Sequence, residues 1–181
     1  MKRIHFACLG LMLAATGAMA AMSRPVQLSL TPEIAVFDRE DEIRGVTLNI
    51  WGENPQKALA LGIVNGSTGD SAGVSLALLL NYAENYTGVQ WAPINYTSMD
   101  FLGWQSGFVN YTGGTMRGLQ SGIVNYAGRL RGLQLGLINY AETASAGVQL
   151  GLINVITSNT RWFTGLPGEL APAMVFLNWS F

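Results

Sequence analysis

Between Ala58 and Val155 one short phrase returns seven times: ALALGIVNG, GVSLALLLNYA, GVQWAPINYT, GWQSGFVNYT, GLQSGIVNYA, GLQLGLINYA and GVQLGLINV. The asparagines near its end, Asn65, Asn81, Asn95, Asn110, Asn125, Asn139 and Asn154, are 16, 14, 15, 15, 14 and 15 residues apart. A fixed short period confines the chain to architectures in which each copy is one structural unit laid beside the next. A weaker copy precedes these at Gly45-Val46-Thr47-Leu48.

Inside one copy the alternation has period two. Leu133, Leu135, Leu137 and Asn139 share one side of an extended chain, and Gly132, Gln134, Gly136, Ile138 and Tyr140 share the other. These are strands. The Gly132 to Gly136 spacing also matches the small-residue pattern of membrane helices, but the apolar stretches are short and Gly is costly within a helix. Turn-forming stretches such as Thr112-Gly113-Gly114 and Ala127-Gly128-Arg129 separate the strand cores, and the few charges of the region sit in them.

Two architectures use such a unit, and they assign the Leu row differently. An antiparallel meander closed into a barrel spends one strand and one turn per copy, turning the Leu row to lipid and the Gly-Gln-Gly row to a narrow lumen. A β-solenoid spends one coil per copy, with the Leu row as a dry core and the Asn residues stacked in a ladder. The ends of the chain favour the barrel. Val26, Leu28 and Leu30 alternate before Pro32, and Val175, Leu177, Trp179 and Phe181 alternate up to the last residue. The latter pattern resembles the β-signal by which bacterial outer-membrane barrels are recognised for insertion. That resemblance implies that Val175, Leu177, Trp179 and Phe181 form an assembly signal read by the barrel-assembly machinery. The two end strands, the copy at Gly45 and the seven repeats make about ten strands, an even number that suits a bacterial barrel. Asn-Tyr pairs at successive strand ends would form two aromatic girdles. The expected fold is therefore all-β, an antiparallel meander closed into a barrel of about ten strands, with a β-solenoid as the alternative.

Lys2 and Arg3 precede an apolar run from Ile4 to Ala15, and Ala18-Met19-Ala20 supplies small residues before a cut at Ala21. Residues 1–20 thus read as a secretory signal peptide and 21–181 as a single repeat-built β domain. His5 and Cys8, the sole histidine and cysteine, leave with the peptide. No thiol nucleophile, imidazole base or His/Cys zinc site remains. Paired carboxylates on a strand face are also missing, so no catalytic residue, metal site or cofactor is predicted. The remaining eight basic and eleven acidic side chains carry a formal charge of −3 and offer no field for nucleic acid. Charged residues are 12% of the chain, about half the usual share, which places part of the surface against something other than water.

Candidate sites are few. Arg161, Trp162 and Phe163, in the longest connection, suit a partner contact. Gln90, Gln105, Gln120, Gln134 and Gln149 recur on the Gly-rich face and would line a barrel lumen. The charged run from Asp38 to Arg44 reads as a solvated loop. The repeat itself resembles an uncharacterised family of bacterial surface-repeat proteins built from Gly-Leu-Gln-Leu-Gly-Leu-Val-Asn units. The likeness is closest over Gly103 to Val155, and Asn49 and Trp51 break the pattern towards Gly45. It implies an exported, surface-associated protein and brings no catalytic residues. The expected function is non-enzymatic: a structural or interaction protein of the outer membrane or cell surface in contact with outer-membrane lipid. The alternatives are a soluble exported β-solenoid binding module, of the periplasm or cell surface, and a narrow pore for small polar solutes.

Overall fold

The computed structural model describes residues 23–181, so the predicted signal peptide, with His5 and Cys8, lies outside the described residues. These residues form nine strands and no helix: β1 (Ser23–Thr31), β2 (Ile34–Ala35), β3 (Glu42–Asn54), β4 (Lys57–Trp91), β5 (Ile94–Thr97), β6 (Phe101–Ser106), β7 (Val109–Ser121), β8 (Val124–Ile156) and β9 (Ala173–Ser180). A straight strand of 35 residues such as β4 would be more than about 100 Å long. Instead β4 and β8 wind round the molecule and pair with neighbours one repeat away.

Pairing is parallel from β1 through β8, with Val46 opposite Leu59, Tyr86 opposite Phe101 and Gly118 opposite Gly132. The offset is one repeat, so each copy is one full coil. The chain is a β-solenoid of about eight turns and does not close into a barrel. The ten-strand meander is corrected for a definite reason: a copy contains two β segments joined by a corner, not one strand and a reversing turn. Antiparallel pairing is confined to the two ends. There β2 folds back on β1, and β9 lies across Gly147 to Val155 of β8.

The direction of the side chains also reverses the expectation for a solenoid. In the coil that starts at Leu130, the buried residues are Leu130, Gln134, Asn139 and Ala141, whereas Leu137 and Ile138 are exposed and Leu133, Leu135 and Tyr140 half-exposed. The Leu row is outside and the amides are inside. Two glycine positions show why. A Cβ on Gly132, whose φ is +146°, would fall on the carbonyl oxygen of Gly118, and one on Gly136 would press on the Asn125 amide at 2.5 Å. At Gly136 the Asn125 amide, reaching over from the opposite wall, leaves no room for a side chain, whereas at Gly132 the obstacle is the paired backbone of the preceding coil on the same wall. A dry cluster of Ala83, Tyr86, Phe101, Met116, Ala127, Leu130, Ala141 and Ile156 fills the interior at the end away from the Asn corner.

Candidate functional site

The polar interior is satisfied by its own repetition. Asn49, Asn65, Asn81, Asn95, Asn110, Asn125 and Asn139 each donate from Nδ2 to the Oδ1 of the asparagine one coil further on, at 2.8–3.3 Å. The glutamines run the opposite way. Gln105, Gln120, Gln134 and Gln149 donate from Nε2 to the Oε1 one coil back, at 2.8–2.9 Å. The second amide hydrogen spans the coil: Asn125 donates to the Leu135 carbonyl at 2.9 Å and Gln120 to the Tyr126 carbonyl at 3.0 Å. Such fully connected amides hold two walls together where apolar packing would need more width. A ladder must end, and two of the buried polar atoms without a partner, Asn49 Oδ1 and Gln149 Oε1, are the terminal acceptors of the two ladders.

Turning the amides inward leaves the apolar residues outside. On one face the positions on either side of the inward glutamine form two rows, Val74, Val89, Trp104, Leu119, Leu133 and Val148 in one, Leu76, Trp91, Ser106, Ser121, Leu135 and Leu150 in the other. The corner carries Ile50, Ile63, Leu78, Phe108, Ile123, Leu137 and Leu152, of which Leu78 is 72% and Phe108 63% exposed. Beyond the corner Trp51, Ile94, Val109, Ile138 and Ile153 open the second face. No charged side chain enters these four rows among the described residues. Near β2 the surface becomes concave, where Leu28, Leu30, Ile34 and Val36 face Leu76, Leu78 and Trp91 across a groove of about 950 Å³.

The second face continues into a tyrosine stack. Tyr96, Tyr111, Tyr126 and Tyr140 lie with ring centroids 5.0, 4.6 and 5.4 Å apart and planes within 7°. The charges gather at the opposite edge of the coil, where Asp70, Asp100, Arg117, Arg129, Arg131 and Glu142 lie. Tyr126 donates to the Glu142 carboxylate, a bond that pushes the phenol up to about 12. Tyr82, half-buried, is pushed up to about 12 by burial first and then by its hydrogen bond to Glu53. Glu53 also pairs with Arg39, and Arg24 with Asp41 at 2.9 Å, so the charged run from Asp38 to Arg44 clamps the N-terminal hairpin onto the first coils. The Arg44 guanidinium, 2.6 Å from Glu42, holds that carboxyl below its ordinary range.

Of the sites read from sequence, Gln90, Gln105, Gln120, Gln134 and Gln149 come together, but in the interior ladder, where each is at most 1% exposed. Val175, Leu177 and Trp179 face outward from β9, the strand that caps the C-terminal end of the stack, and Phe181 is exposed beside it. Trp162 and Phe163 are exposed and tilted together at 6.3 Å, next to exposed Arg161, in the loop that leads to this cap. The corner residues Phe108, Leu137 and Ile138 were not singled out in advance. Their signal was two consecutive apolar residues between inward Gly136 and inward Asn139, which breaks a period of two and marks a turn of the coil. Compared with known proteins, the chain matches no family model, no curated protein and no solved structure.

Proposed function

We propose that the protein is an exported β-solenoid interaction module, which acts by binding through its outward apolar faces and not by catalysis. One observation carries this reading: the fold puts its amides inside and an uncharged apolar band outside, in coil after coil. Monomeric proteins rarely leave contiguous apolar surface of more than a few hundred Å² to water, and larger patches mark binding sites. The secretory features of residues 1–20 and the resemblance to surface-repeat proteins support an exported location, at the cell surface or in the periplasm.

The test separates surface from core. Leu137→Glu and Phe108→Glu should leave the far-ultraviolet circular dichroism and the unfolding midpoint nearly unchanged while lowering the binding of a hydrophobic dye such as anilinonaphthalene sulfonate. If either substitution unfolds the chain, these rows are structural and the proposal fails.

A further inference from the structure

The apolar band lies on both sides of a convex edge, and this shape constrains what can cover it. At the corner two successive residues, Leu137 and Ile138, both point outward, and Phe108, 63% exposed, belongs to the same corner beyond the β2 groove. A flat, rigid partner lying on one face leaves the corner and the second face in water. A fluid apolar medium covers both.

The backbone at this edge is compatible with such a medium. Hydrocarbon offers no hydrogen bonds, so any backbone group entering it must already be paired. Along the corner Phe108 N–H donates to the Pro93 carbonyl at 2.8 Å, Val109 to the same carbonyl at 3.0 Å, Ile123 and Val124 to that of Phe108 at 2.9 Å, and Ile138 to that of Ile123 at 2.9 Å. The coil stacking thus satisfies the edge without water. The distribution of polar groups across the coil completes the pattern. Stacked tyrosines flank the band on one face, Trp104 and Trp91 lie on the other, and the charges stand at the opposite edge. Aromatic side chains with polar tips prefer the level of lipid headgroups.

We infer that the Leu137/Ile138 edge is a keel that seats the solenoid lengthwise in one leaflet of a lipid membrane, its axis in the membrane plane and its charged edge in water. Stacked at about 4.8 Å per coil, the keel beyond the β2 groove, from Pro93 to Leu152, is about 20 Å long, and its depth from the corner to the tyrosine row suits the roughly 5–10 Å by which amphipathic elements enter the headgroup boundary. Arg117 and Arg131 stand in register beside the Leu119/Leu133 row, but the band itself carries no charge, so recognition is apolar and neutral phosphatidylcholine suffices. This inference rests on the outward rows being the binding face.

The experiment uses the full chain with phosphatidylcholine vesicles, read by co-flotation and by quenching of tryptophan fluorescence with bromine placed either high on the acyl chain or near its end. The wild type should float with the vesicles at both low and high salt, and high bromine should quench more than deep bromine. Leu137→Glu with Phe108→Glu should reduce flotation about tenfold or more with an unchanged melting midpoint. A folded wild type that stays off the vesicles overturns the keel but leaves the interaction module standing. Self-association abolished by the same substitutions, without flotation, assigns the face to a second copy and also overturns it. Stronger quenching by deep bromine rejects the in-plane seat. Unfolding of the variants defeats the underlying reading instead.

Discussion

At the scale of single residues, the protein depends on amides and glycines where most folds depend on leucines. Replacing Gln134 by Leu strands the Gln120 acceptor and the Gln149 donor, each of which then lacks its ladder partner. The expected loss is about 1–3 kcal/mol for each stranded group. Leu137→Gln, on the outside, should change stability by no more than about 0.5 kcal/mol. Urea unfolding of the two variants tests the inversion, and the reverse order of effects would refute it. Glycines divide in the same way. Gly118 has φ +118° and its absent Cβ would strike the Gly103 carbonyl, whereas Gly69, at φ +58°, has no atom within 4 Å of that position. Gly118→Ala should therefore cost at least about 1–3 kcal/mol, and Gly69→Asn, which suits the left-handed region, should be nearly silent in the same thermal melt.

At the scale of elements, the ladders and the tyrosine stack exist because parallel in-register coils bring like residues together. Tyr111 stacks on both Tyr96 and Tyr126, so Tyr111→Ser should remove up to about 0.5–1.5 kcal/mol per ring pair. The tyrosines also set an alkaline limit. Tyr82 and Tyr126 are raised to about 12 in the folded chain, against about 10 when unfolded. The folded state then holds these protons more tightly, a contribution fully present below about pH 10 and lost as pH rises towards 12. Melting midpoints measured across that window should fall, and Tyr126→Phe should fall less steeply. A flat profile would contradict the hydrogen bond from Tyr126 to Glu142.

At the scale of the whole molecule, stability is a sum over coils and their contacts. Removing residues 104–118 joins Gly103 to Leu119 and deletes one repeat in phase, so every ladder closes again one rung shorter. The shortened chain should fold with a lower midpoint and an unchanged circular dichroism shape. Removing residues 104–111 puts the ladders out of phase and should abolish cooperative unfolding. The ends matter separately, because an open parallel edge templates further pairing. Here β9 covers the last coil, with Asn178 donating to the Ala171 carbonyl at 3.0 Å and Asn159 to that of Trp179 at 3.0 Å. Truncation after residue 157 should yield end-to-end oligomers in sedimentation, and a monodisperse product would show that the cap is dispensable.

The all-β class and the copy length were legible in the sequence, because period two and period fifteen are properties of the chain alone. The faces were legible only up to Leu137, since Asn139, expected beside the Leu row, lies inside with Gln134, and Ile138 and Tyr140, expected beside Gln134, lie outside. So was the grouping of Gln90 to Gln149 on one side. What the periodicities left open was which side is inside, since an alternating strand is symmetric until something packs against it. Burying leucine is the usual solution, and Gln134 or Asn139 read singly gives no ground for another. Their amides become good interior groups only when a copy of the same residue stands one coil away, at hydrogen-bonding distance on each side. That condition belongs to the stack and not to any one repeat. The barrel was preferred to the solenoid because a strand with a turn and a coil with a corner share one alternation from Gly132 to Leu137, and Ile138, which breaks it, was read as part of the same strand. Only the parallel pairing of Gly118 with Gly132 and of Asn110 with Asn125 separates them.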